Sequence, residues 1–102
     1  MDCLEIVSVR LASSEGSESA IRLCREVLTH SLAQRFEIYR CIGTGTDLSI
    51  HIHWTLGPTD KDMEKSVPGR QLARGLGDFG LVSHTLWIDL QEILVRQNSM
   101  AS

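Results

Sequence analysis

His51 and His53 stand two residues apart in the stretch D-L-S-I-H-I-H-W-T-L, residues 47–56, and that spacing is the sharpest chemical signal in the chain. On a strand, residues two apart project to the same side. Two imidazoles placed so can share a divalent cation, handle a proton or a substrate, or simply line a polar sheet face. A metal needs a third ligand, and neither a neighbouring carboxylate triad nor an H-x-H-x-E continuation is present, so no metal is expected. His84 lies on the more apolar side of a predicted last strand, where a pocket acid or base competes with a core histidine that has one satisfied nitrogen. Trp54 and Trp87 read first as apolar anchors. Arg70 and Arg74, one helical turn apart, are spaced either to hold an anionic ligand or to form a solvated face. The G-T-G-T run at 43–46 lacks the strand-then-helix context of a phosphate loop, so nucleotide binding is not expected.

The elements that must position these groups follow from periodicity. Residues 47–56 alternate strictly, sending Leu48, Ile50, Ile52, Trp54 and Leu56 to one face and Ser49, His51, His53 and Thr55 to the other, which predicts a central strand. Leu4 to Ala12 predicts a first strand. The polar run S-S-E-G-S-E-S then leads to a helix with Ser17 as N-cap and Glu18 in its first turn, and Ile21, Cys24, Val27, Leu28, Ser31 and Leu32 form its apolar stripe. His30 sits at the border of that stripe. Arg35 to Ile42 predicts a second strand with Phe36, Ile38 and Ile42 on one face, joined by a hairpin at Gly43 to Asp47. After the Gly57-Pro58 break, Thr59 and Asp62 resemble a capping box, and a short helix is expected over 60–66. Pro68 predicts a kink or break at 66–69, before a second helical piece from Arg70 to Phe79 with Gly80 as C-cap. Gly75 and Gly77 weaken that piece and permit close packing or a mobile lid. Leu81 to Leu90 predicts the last strand, extending towards Val95.

That order is β-α-β-β-α-β. It predicts an α+β, ferredoxin-like fold: a four-stranded antiparallel sheet with both helices on one face and the first and third strands central. His51 and His53 then look out from the bare face, which is wet or covered by a partner. With 102 residues, a single domain over 1–96 and a disordered tail over 97–102 are expected. A hydrophobic fraction of 42% and 23% charged residues exclude a disordered chain, and a net charge of -3 argues against nucleic acid. No apolar run approaches the roughly 18 residues of a membrane span, and the N-terminus has no charged-then-apolar signal, so no membrane association and a cytoplasmic location are expected. Cys3, Cys24 and Cys41 form an odd set without C-x-x-C or zinc spacing, which predicts reduced thiols, with Cys24 in the core.

The E-I-V-x-V-R-L first strand, F-E-I-Y-R in the second, a third strand closing on Trp54, a broken helix pair and a terminal strand together resemble the dimeric α/β-barrel superfamily, most closely its antibiotic biosynthesis monooxygenase type of domain. The resemblance covers nearly the whole chain and rests on pattern and length. It implies a homodimer in which two sheets face each other and a small-molecule pocket between sheet and helices. It also implies, as one activity, a cofactor-independent monooxygenase of a small aromatic or quinol-like substrate, with His84, Tyr39 and Trp54 as catalytic candidates. His51, His53, Trp87, Phe79 and Arg70 are the substrate-binding candidates. A non-catalytic ligand-binding or stress-associated protein on the same dimer is the other reading. Haem-degrading members use a histidine in the second helical region; residues 60–80 contain none, so no cofactor is expected.

Overall fold

The computed structural model of the chain describes residues 2–31, 33, 35–55 and 66–88. Strand β1 (Asp2–Leu11) is followed by a 3-10 turn at Ser14–Gly16 and helix α1 (Ser17–Thr29). Strands β2 (Arg35–Arg40) and β3 (Asp47–Thr55) come next, then helix α2 (Val67–Leu76) and strand β4 (Gly80–Ile88). The sheet is antiparallel with the order β2-β3-β1-β4, so β1 and β3 are central as the sequence predicts.

Alternation decides the two faces of this sheet. In β1, Cys3, Glu5, Val7, Val9 and Leu11 are buried, and in β3 Leu48, Ile50 and Ile52 are buried. Both helices cover this side. Ala20, Cys24 and Leu28 of α1 and Leu72 and Leu76 of α2 join the same core as Val7, Val9, Ile50 and Ile52. Each fully buried aliphatic chain in that layer contributes on the order of 1.5–3 kcal/mol. The helices approach closely at Gly75: a Cβ there would lie 2.7 Å from Leu23 Cδ2, which favours the close-packing reading of this glycine.

Several predicted boundaries move. Helix α1 starts one residue before its expected first turn: Gly16 is the N-cap and makes no side-chain cap bond, while Ser17 is buried and its hydroxyl accepts from Arg40 Nη2. It ends at Thr29, because the Ser31 hydroxyl donates to the Leu28 carbonyl at 2.7 Å and turns the chain. Ile42 lies beyond the end of β2 and is fully exposed, since the hairpin begins with Gly45 N donating to the Cys41 carbonyl at 2.8 Å. Within that turn only Gly45 has positive φ, 70°.

Helix α2 begins at Val67 rather than Arg70. Ser66, extended at φ -67° and ψ 159°, is its N-cap and accepts from Gly69 N, and Pro68 sits in the first turn where its missing N–H costs nothing. The helix ends at Leu76 with Gly77 as C-cap; Gly80, expected as the cap, opens β4 instead. A Cβ on Gly80 would fall 2.0 Å from the Arg10 carbonyl, so a glycine suits this close strand contact. The capping box at Thr59 and Asp62, the helix over 60–65, the extension of the last strand past Ile88 and the tail at 97–102 lie outside the described residues.

Candidate functional site

The buried face of β1 carries one charged group. Glu5 is fully buried and sits in the row between Cys3 and Val7, paired laterally with Ile52 on β3 and Leu86 on β4. Cys3 pairs with Trp54 and Val7 pairs with His84, so Trp54 and His84 flank Glu5 diagonally from opposite sides and opposite ends. The carboxylate receives a donor from each. Trp54 Nε1–H donates to Oε1 at 2.8 Å, and His84 Nε2 lies 2.6 Å from Oε2.

The start of α2 completes the arrangement. Ser66 N–H donates to Glu5 Oε2 at 3.0 Å and the Ser66 hydroxyl donates to Oε1 at 2.6 Å, while the same hydroxyl accepts from Gly69 N–H at 2.9 Å. Four groups therefore converge on one carboxylate, two on each oxygen, which is the pattern that an ionised carboxylate satisfies. The N-terminal end of the α2 dipole also points at it. Helix and carboxylate approach so closely that a Cβ on Gly69 would lie 2.1 Å from Oε2 and 2.5 Å from Cδ.

A mostly apolar cleft of about 610 Å³ opens between the end of α1 and the start of α2, lined by Val27, Ser31, Trp54, Ser66, Pro68 and Gln71 among others. Trp54 and Ser66 are thus shared: each lines the cleft and each bonds Glu5. A volume in the range of ordinary small-molecule pockets, with few polar groups in its wall, suits an aromatic or similarly apolar ligand.

Of the three catalytic candidates, the fold brings two together. Trp54 and His84 meet at Glu5, whereas Tyr39 projects from the opposite side of the sheet because Phe36 and Ile38 of β2 face the core. Tyr39 is half exposed and its ring lies 4.8 Å from that of His51, tilted by 57°. His51 Nε2 is 3.0 Å from Ser49 Oγ, and His53 Nε2 is 2.7 Å from Glu37 Oε2. Each histidine of the H-x-H pair is therefore engaged with a different neighbour, and no group of three metal-ligating side chains occurs among the described residues.

The remaining candidates are dispersed. Trp87 is exposed on the bare face with its Nε1–H donating to Thr85 Oγ1 at 2.8 Å, and Phe79 packs against the core beside Gly16. Arg70 and Arg74 line a groove of about 700 Å³ on the outer side of α2 with Asp78. On the bare face, lateral pairing sets Tyr39, Ser49, Ser8 and Ser83 in one transverse row of hydroxyls, and these line a hollow of about 450 Å³.

Glu5, Ser66 and Gly69 were not among the residues singled out from the sequence. A signal for Glu5 exists: it shares the parity of Cys3, Val7, Val9 and Leu11, so a strand in that register places a carboxylate among apolar neighbours. Burial affects the thiols as well. It raises the Cys24 thiol to about 11 and, with the nearby Glu5 charge as the smaller cause, raises Cys3. Exposed Cys41 is lowered by hydrogen bonding from the Thr44 backbone, then by the Thr44 hydroxyl.

No known family model and no curated protein matches the sequence. Solved structures do. Rv0793 from Mycobacterium tuberculosis superposes with a TM-score of 0.63 at 11% identity over 89% of this chain and 97% of that one. SnoaB, a cofactor-independent oxygenase from Streptomyces nogalater, gives 0.63 at 12% identity over 88% and 94%. A protein from Nitrosomonas europaea, named as a candidate antibiotic biosynthesis monooxygenase, gives 0.59 at 13% identity over 88% and 91%. At such identities the likeness is one of architecture, and the chain has the ferredoxin-like fold shared by antibiotic biosynthesis monooxygenase-like proteins.

Proposed function

We propose that the chain is one subunit of a cofactor-independent monooxygenase that takes a small aromatic or quinol-like substrate in the cleft over Trp54. The observation that supports this most is the sharing of Trp54 and Ser66 between an apolar cleft and a buried carboxylate that also holds His84. Such a site offers a flat aromatic wall for an aryl ring and a proton-accepting carboxylate, fixed by His84, behind it. Deprotonation makes a hydroxyarene electron-rich enough to reduce dioxygen. For an activated methylene between aryl rings the balance is CH₂ + O₂ → C=O + H₂O: carbon supplies four electrons, one oxygen atom is retained, and the other leaves as water with both hydrogens. SnoaB, of the same fold, is a cofactor-independent oxygenase.

A second copy of the chain covers the bare sheet face in this reading. Trp87, Tyr39 and Leu81 are exposed there at 56%, 51% and 77%, and Leu4 and Ile6 are partly exposed between them. Large apolar groups together on one sheet face suit a homodimer interface, with His51 and His53 inside it. Three free cysteines suit a reducing cytoplasm. No described helix is long and apolar enough to cross a membrane. The hydroxyl-lined hollow of the bare face favours a second reading, a non-catalytic ligand-binding protein on the same dimer.

Oxygen uptake with a panel of reduced quinones and anthrones tests the proposal. Uptake is expected to require the protein, to fall at least tenfold in His84→Ala and to persist in Tyr39→Phe. Loss in Tyr39→Phe or His51→Ala alone would move the site to the bare face, and no protein-dependent uptake across the panel would leave the binding reading ahead.

A further inference from the structure

We infer that Ser66 and Glu5 form a proton path from the cleft into the core, with His84 positioning the carboxylate, and that its ligand is an acidic hydroxyarene, a phenol or hydroxyquinone, held as its anion; the inference rests on the cleft over Trp54 being the ligand site. The path begins at the Ser66 hydroxyl. That oxygen accepts from Gly69 N–H, donates to Glu5 Oε1, and belongs to a residue of the cleft wall, which leaves one lone pair for a ligand hydroxyl. The transfer balances at every atom. The ligand O–H bond breaks as its proton joins Ser66 Oγ, the proton already on Ser66 passes to Glu5 Oε1, and the ligand oxygen keeps the electron pair.

Two features of the site favour the transfer. The buried charge is conserved: one negative charge on Glu5 becomes one on the ligand, so the core gains no additional ion. The charge also stays beside the N-terminal end of α2, so the dipole that stabilises it on Glu5 continues to stabilise it on the ligand. His84, 10% exposed and 2.6 Å from Glu5 Oε2, keeps its Nε2–H on the second carboxyl oxygen, which fixes the carboxyl while Oε1 takes the proton. A carboxylate that served only to pin α2 would hold the same four donors and leave a bound phenol neutral.

The test uses 4-nitrophenol, whose anion and neutral forms absorb at different wavelengths, in the Trp87→Phe background so that quenching of Trp54 reports occupancy. The pH is set one unit below the pKa measured for the free probe, where the free anion-to-neutral ratio is about 0.1. Bound to the protein the ratio is expected to exceed about 1, a rise of at least tenfold. It should return to the free value in Ser66→Ala and Glu5→Gln with the probe still bound, and survive in Ser66→Thr, which keeps the hydroxyl. A neutral spectrum on the bound probe, or an unchanged anion in Ser66→Ala, would overturn the path while leaving the cleft as a ligand site. Absence of any quenching would remove the cleft and the path together. Circular dichroism checks each fold, and Ser66→Ala decides the matter should Glu5→Gln not fold.

Discussion

Replacing Gly69 with alanine should destabilise the protein, although alanine in a helix is ordinarily better than glycine by about 1 kcal/mol. The added Cβ would lie 2.1 Å from Glu5 Oε2, 2.5 Å from Cδ and 2.9 Å from Oε1. Ordinary contact begins near 3.4 Å, so either the carboxylate or the first turn of α2 must retreat by more than an ångström. The carboxylate, itself on β1, is tied by Trp54 to β3 and by His84 to β4, so the helix is the part that moves. Its departure breaks both Ser66 bonds, and hydrogen bonds to a charged group are worth about 1.5–3 kcal/mol each. Two of them less the helix-propensity gain leaves a net loss of about 2–5 kcal/mol. At roughly 4–8 °C per kcal/mol for a domain of this size, Tm should fall by at least about 8 °C. Urea unfolding of the two proteins in parallel gives the free energy directly. A Gly69→Ala variant as stable as the parent, or more so, would mean that the carboxylate is not held where these contacts place it.

Three further outcomes follow from the same geometry. Trp54→Phe keeps the ring but removes one donor from a buried charge, and should cost about 1.5–3 kcal/mol in urea unfolding, more than a ring exchange at a purely apolar site. Under native conditions Cys41 should react first with a disulfide reagent, being exposed and lowered by Thr44, while Cys3 and Cys24 react only on unfolding; Cys41→Ser removes the fast phase. Burial raises the Cys24 thiol from 9.0 to about 11 in the folded state, so its stabilising contribution is complete below pH 9 and is lost as pH rises through about 11. Urea midpoints measured between pH 8 and 11 should decline in the parent and decline less in Cys24→Ala.

Strict alternation made β3 legible to within a residue, and with it the facing of His51 and His53, because a period of two leaves only one register that buries Ile50 and Ile52. The order of strands followed from the order of elements. Helix α2 was legible in existence but shifted by three residues, since Pro68 reads equally as the end of one helix or the first turn of another. Only the Ser66 cap bond to Gly69, itself set by Glu5, decides between them. The site was half legible for the same reason. Trp54 and His84 drew notice as residue types, but what joins them is a carboxylate 49 and 79 residues away, and no local pattern reports a contact of that separation.

Glu5 also distinguishes this core from one built for stability alone. An apolar side chain at its position would match Cys3, Val7 and Val9 along β1, and buried ionic networks commonly contribute less than well-packed hydrophobic replacements. Keeping a carboxylate there commits three further segments, β3 through Trp54, β4 through His84 and α2 through Ser66, to satisfying it. Two of those partners, Trp54 and Ser66, are also cleft-lining residues, so a network in the core reaches the surface cleft between α1 and α2. A charge whose partners open onto a ligand-sized cleft does what an aliphatic residue cannot: it fixes the orientation of the indole and offers a ligand proton somewhere to go.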